Sequence, residues 1–247
     1  MIRLGSLRVK VDEEGRRVER HTIVNKNDDG DDDDDDNDKK KKSIQGTALG
    51  LRLGLNNYLY GDRFKTPPAH PELELNTGKS VHVNLGLAGI KWRIEKDYVT
   101  LHTGVALDFI NYRFGNDWLL RPKVDTVSFY QFSDGANVTK NKLAATYLEL
   151  PLRIQFQTSN KESKAFRFSV GGRVGYRIGA HTKIVADGDK IKQRDDFNLT
   201  TLKYGLTGQI GFSYLNFYIN YDLTPVFESG VQPELMPVAA GIVLTGW

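Results

Sequence analysis

From about residue 44 to the C-terminus, large apolar residues recur at every second position, with glycine, alanine, serine and charged residues between them. A period of two belongs to strands with two unlike faces. The first such segment, about 44–58, sets Leu49, Leu51, Leu53 and Leu55 against Ala48, Gly50, Arg52, Gly54 and Asn56. The second, about 80–94, sets Val81, Val83, Leu85 and Leu87 against His82, Asn84 and Gly86. Its apolar parity then slips to Ile90, Trp92 and Ile94, which predicts a β-bulge near Ala88-Gly89. The third, about 98–113, carries Val99, Leu101, Val105, Leu107 and Phe109 opposite His102, Gly104, Ala106 and Asp108.

The fourth segment, about 143–157, alternates Leu148, Leu150, Leu152, Ile154 and Phe156 with Tyr147, Glu149, Pro151, Arg153 and Gln155. Pro151 has no N–H for a ladder, so a bulge or bend is expected there. In the fifth, about 165–180, Phe166, Phe168, Val170, Val174, Tyr176 and Ile178 oppose Arg167, Ser169, Gly171, Arg173, Gly175 and Arg177. The sixth, about 199–214, sets Leu202, Tyr204, Leu206, Ile210 and Phe212 against Lys203, Thr207, Gln209 and Ser213. The seventh opposes Phe217, Ile219, Tyr221 and Leu223 to Tyr218, Asn220 and Asp222, and the eighth opposes Met236, Val238, Ala240, Ile242 and Leu244 to Pro237, Ala239, Gly241 and Val243.

The connections alternate in length. Glu95-Lys96-Asp97, Thr158-Ser159-Asn160-Lys161 and Leu215-Asn216 are tight turns, whereas about 59–79, 115–142 and 181–198 are long loops rich in Gly, Pro, Asn and Asp. An even count of about eight strands with long loops at one end predicts an all-β fold, an antiparallel up-and-down transmembrane β-barrel. Both termini then fall at the short-turn end. Residues 1–43 read as a charged, periplasmic N-terminal tail and 44–247 as the outer-membrane barrel.

Two solvents are compatible with alternation. A soluble eight-stranded barrel would point its apolar face inward around a ligand. Here the polar face is rich in Gly, Ala and Ser, which suits a narrow lumen, and the other face carries more bulk than a small lumen holds. Aromatics also gather near strand ends, at Tyr58, Tyr60, Trp92, Tyr98, Tyr112, Tyr204, Tyr214, Phe217 and Trp247, where a membrane barrel carries its girdles. The lipid-facing assignment is therefore preferred.

Composition changes that picture little. The mean hydropathy of −0.44 looks soluble, but a barrel needs apolar residues only at alternate positions. No run of 18 apolar residues is present, which excludes a transmembrane helix. With no cysteine, thiolate metal sites, disulfides and cysteine nucleophiles are excluded. A net charge of +3, from 34 basic and 31 acidic residues, argues against nucleic acid as a partner. Met1 to Ser6 lacks the apolar core of an export signal, so the expectation is that a signal has been removed or that the gene start lies elsewhere. Leu4, Leu7, Val9 and Val11, with Val18, Thr22, Ile23 and Val24 beyond a turn at Glu13-Glu14-Gly15, leave open a small hairpin or an extended tail. Asp28 to Lys42 is a solvated run of like charges, without the spacing of an ordered calcium loop.

The segments TALGLRLGLNNYLYG, AATYLELPLRIQF and FRFSVGGRVGYRIG resemble the PorT-like outer-membrane β-barrel family of Gram-negative bacteria, over about residues 44–247. The resemblance implies a cell outer-membrane location and a C-terminal strand read by the barrel-assembly machinery, which Trp247 matches as a final aromatic. Thr245 departs from that pattern, standing where an apolar residue is usual.

The inward parity gathers charge, and its leading members are Arg52, Asp108, Glu149, Arg153, Arg173 and Asp222. In a narrow lumen such groups must pair, which predicts an ion-pair plug, with Arg153 and Arg173 each joining Glu149, Asp108 or Asp222. His82 and His102 face inward on adjacent strands and, with a carboxylate, would suit a base, but no serine stands in a nucleophile motif. Asp187-Gly188-Asp189 reads as a polar turn. No cofactor, metal or catalytic residue is expected. The sequence thus predicts a non-enzymatic barrel of structural, adhesive or accessory role. Its partners would be outer-membrane lipid, the assembly machinery and an envelope protein. The alternatives are a lipid-modifying enzyme or narrow pore on the same barrel, and then a soluble ligand-binding barrel.

Overall fold

The computed structural model describes residues 9–10, 19–20, 44–47, 50–95, 98–120, 128–131, 137–159, 165–228, 231 and 233–245. Contacts divide the chain into Met1–Lys41 and Lys42–Trp247. In the first unit Val9–Lys10 pairs antiparallel with Glu19–Arg20, a minimal hairpin. The Asp28–Lys42 run, the tips of the Lys96-Asp97 and Asn160-Lys161 turns, and Trp247 lie outside the described residues.

The second unit is a closed antiparallel β-barrel of eight strands. They are β1 Gly50–Tyr60, β2 Val81–Glu95, β3 Val99–Arg113, β4 Val138–Gln157, β5 Phe166–Ala186, β6 Leu202–Phe212, β7 Leu215–Asp222 and β8 Leu235–Thr245. Each pairs with its sequence neighbours, and β8 returns to β1, with Ala239 opposite Asn56 and Gly241 opposite Gly54. Ile44–Thr47 pairs with the far end of β2 in the same register as β1, lengthening that wall. Outward parity places Leu150, Leu152, Leu202 and Leu206 more than half exposed. Inward parity buries Asp108, Glu149, Asn220 and Asp222 completely. A barrel with apolar residues outside and charge inside is built for lipid.

The bulge in β2 falls between Gly86 and Ala88, one residue before the predicted place. Pro151 makes no bulge. Thr103 pairs with Leu152 and Ala106 with Glu149 in one register on both sides of it, and Thr103 Oγ1 donates to the Pro151 carbonyl at 2.9 Å. The tight turn between β6 and β7 is Ser213-Tyr214, two residues before Leu215-Asn216, with Ser213 at φ 56°.

The loops depart furthest from expectation. β4 and β5 stay paired well beyond the barrel, to Val138 and Ala186, and β5 folds back on Asp189–Arg194 through Asp187-Gly188, at φ 51° and 89°. Much of the third long loop is therefore a paired hairpin that extends the barrel wall, and an Asp-Gly pair between Ile184 and Ile191 is a strong hairpin signal. The second loop contains its own hairpin, Trp118–Leu120 with Phe129–Gln131. Leu73, Phe197, Leu199, Phe227 and Leu235, each at most 1 % exposed, pack with Tyr58, Tyr112 and Tyr147 into an apolar cap over the long-loop mouth. Tyr58 and Tyr112 thus belong to this cap and not to a girdle. Their strand positions face inward, and their rings meet at 5.9 Å. Tyr204, Tyr214 and Phe217 do face outward, at 51 %, 76 % and 50 % exposed.

Candidate functional site

The lumen's middle is a charged layer assembled by register. Arg52 is paired with Asn84 and Asn84 with Asp108, across β1, β2 and β3. Around the other side, Glu149 is opposite Gly175, Gly175 opposite Lys203, Arg173 opposite Gly205, and Gly205 opposite Asp222. The two glycines make the room. A Cβ on Gly175 would come within 2.9 Å of Lys203 Cε, and one on Gly205 within 2.7 Å of Asp222 Oδ1.

Arg173 is the hub. Its Nη1 donates to Glu149 Oε2 at 2.7 Å and reaches Asp108 Oδ2 at 3.4 Å, while Nη2 donates to Asp222 Oδ1 at 2.5 Å. Lys203 Nζ donates to Asp108 Oδ2 at 2.5 Å, lies 3.8 Å from Asp222 Oδ2 and sits 4.5 Å above the Tyr147 ring. Asn84 Nδ2 bridges Asp108 Oδ1 at 2.9 Å and Glu149 Oε1 at 3.1 Å. His82 lies between Asp108 Oδ1 and Tyr218 Oη, 2.6 Å from each. These side chains come from β2 to β7 and are at most 5 % exposed. Charge buried this deeply persists only when paired and hydrogen-bonded, and here nearly every carboxylate oxygen has a donor.

Of the six residues singled out from sequence, Asp108, Glu149, Arg173 and Asp222 come together. Arg52 and Arg153 do not. They line an adjoining cavity of about 50 Å³ with His102, Asn84 and several glycines. Neither arginine forms an ion pair among the described residues, and Arg153 Nε is buried without a hydrogen-bond partner. The expected Arg153–Glu149 pairing fails for a geometric reason: four residues on one strand separate their Cα atoms by about 13 Å. Lys203, Asn84, His82 and Tyr218 complete the cluster, and inward parity was the only sequence signal for them. A second void, about 10 Å³ between the charged layer and the cap, has room for about one water.

Chemically, a carboxylate, imidazole and phenol in line resemble a proton relay. His82 is 1 % exposed and Tyr218 3 %, however, so among the described residues both are closed off from solvent. His102 is held apart, with Nε2 2.9 Å from Thr100 Oγ1. Among the described residues, no group of three or more His, Asp or Glu side chains is placed to hold a metal. Asp187 Oδ1 accepts from the Asn137 N–H, and Asp195 and Asp196 accept from nearby backbone N–H groups, so these loop carboxylates serve turns.

A closed eight-strand barrel with lipid-facing walls and a polar, filled lumen defines an outer-membrane barrel protein. The chain belongs to the outer membrane protein beta-barrel domain family, whose profile matches residues 35–228. Among solved structures, it is similar to the attachment invasion locus protein Ail of Yersinia pestis. The identity is 11 %, with 80 % of this chain and 97 % of that one covered and a TM-score of 0.26. No curated protein matches the sequence.

Proposed function

We propose that this chain is a non-enzymatic, non-conducting outer-membrane barrel of PorT-like type. Its structural, adhesive or accessory role is exercised through the long loops. One observation carries the reading: Arg173 joins three carboxylates from three strands across the middle of the lumen. A lumen filled by paired charge is a plug, and an apolar cap packs above it. The N-terminal tail lies in the periplasm, because β1 starts at the short-turn end. The partners are outer-membrane lipid, the assembly machinery acting on the C-terminal strand, and an envelope protein. No cofactor is required.

Planar-bilayer recording on the refolded barrel is the test. Wild type gives no steady conductance, and Glu149→Ala loses resistance to heat and detergent before it passes current. Large, steady wild-type channels would replace the plug with the narrow pore.

A further inference from the structure

The protruding hairpin carries an arrangement that folding alone does not favour. Arg113 on β3 is directly opposite Lys142 on β4, Lys142 opposite Lys183 on β5, and Lys183 opposite Lys192 on the returning strand. Four cations thus stand side by side across four strands. One step further out, Lys140 and Lys190 flank Val185 in the same way. Like charges directly opposite across strands repel.

All of these residues have the outward parity. Lys142 and Lys140 share the face of Leu148 and Leu150, and Arg113 shares that of Phe109. On β5 the register shift between Arg177 and Gly179 moves the outward face from Tyr176 and Ile178 to His181, Lys183 and Val185. The inward face of the same hairpin is apolar, with Ile184 and Ala186 buried against Leu119 of the neighbouring loop hairpin. The cations therefore look sideways, in continuation of the lipid-facing wall.

Compensation from within the protein is slight. Lys142 Nζ donates to Asn111 Oδ1 at 2.6 Å, and Arg113 Nη2 donates to the Thr139 carbonyl. Among the described residues none of these cations is within ion-pair distance of a carboxylate; Asp187 and Asp189 sit at the hairpin tip. Partial burial, then Lys140, Lys183, Lys192 and Arg113, hold the Lys142 ammonium below the ordinary lysine value. Burial and the cations around it lower His181 likewise.

We infer that this basic ladder is a binding site for the phosphates of lipid headgroups in the leaflet at the long-loop end. This inference rests on the outer-membrane reading, though not on the plug. Two observations favour lipid over a soluble polyanion. Val81 and Val185 line the same groove as Lys79, Arg113, Lys140 and Lys142, so it offers methylene contact beside charge. Depth agrees as well. Arg113 is four residues beyond Phe109, about 13 Å along a strand tilted near 40°, so the ladder lies about 10 Å further along the membrane normal than that apolar residue, on the polar side of the lipid-facing wall.

The test uses the full chain folded in neutral detergent micelles. It is titrated with bisphosphorylated lipid A, with the same lipid stripped of its phosphates, and with inorganic phosphate and heparin as competitors. Wild type prefers the phosphorylated lipid, and Lys142→Gln with Lys183→Gln weakens binding roughly thirtyfold, equivalent to about 1 kcal/mol for each cation removed. Heat-modifiable migration of the double variant verifies its fold. Lys190→Gln with Lys192→Gln, at exposed positions, supplies a second variant if the first does not fold, and it too must weaken binding. Equal affinity for stripped and phosphorylated lipid overturns the proposal, as does undiminished binding by a folded variant. Tighter binding of heparin than of lipid A overturns the lipid assignment in favour of a polysaccharide. Free phosphate that displaces lipid A at low millimolar concentration reduces the site to a small-anion site. Because none of these readouts concerns conductance, they fail or succeed independently of the plug.

Discussion

The barrel fills its interior twice, with opposite chemistry. In the middle, strands supply everything: Asp108, Glu149, Arg173, Lys203 and Asp222 project from fixed register positions and satisfy one another. At the long-loop mouth the connections do the filling, and Leu73, Phe197 and Phe227 lie on the inward tyrosines of the strand ends. The middle is specific and brittle, since each of these charges has named partners on other strands. The cap is held by area, and its apolar pieces substitute for one another more readily.

That contrast can be broken at several points. Arg173→Ala should have the largest effect. It strands three buried carboxylates with Lys203 as their main remaining cation, and the barrel should lose about 3–5 kcal/mol, read as a lowered urea midpoint of heat-modifiable migration. Phe227→Ala should cost about 3 kcal/mol by leaving a void where a ring was 1 % exposed. Its signature should differ: faster proteolysis of the long loops, with the barrel midpoint moved little. Equal shifts of both readouts would show that cap and barrel open as one unit. Tyr58→Phe removes the phenol that donates to the Leu73 carbonyl, and should cost about 1 kcal/mol, confined to loop proteolysis. The smallest effect should come from Arg153→Met. Among the described residues this arginine has no ion-pair partner to strand, so stability should change by less than about 1 kcal/mol in either direction. A loss as large as that of Arg173→Ala would mean that Arg153 is part of the network after all.

Much of this molecule was legible as alternation. A strand between lipid and lumen writes its orientation into every second residue, and Leu148 to Phe156 against Tyr147 to Gln155 is enough to place β4. The same parity yields the set of inward charges. It cannot say which of them meet, because meeting depends on strand tilt and on distance along each strand. Arg173 and Arg153 look equivalent in sequence, yet only Arg173 reaches the carboxylates. The cap was illegible for another reason. Leu73, Phe197 and Phe227 are single apolar residues in polar loops, without period, and only the closed mouth gives them a shared surface. The hairpin beyond the barrel was readable from Asp187-Gly188, but the density of charge around it suggested a loop.

The strand Asp189–Arg194 pairs with β5 along one side. Among the described residues its other side is unpaired, and an unpaired strand margin is a template on which another chain can zip. Here the margin is short and carries Lys190, Lys192 and Arg194, so two copies approaching edge to edge meet cation against cation. The feature that reaches furthest from the barrel thereby also sets how closely copies can pack: neighbours must keep their distance or present a surface of the opposite sign.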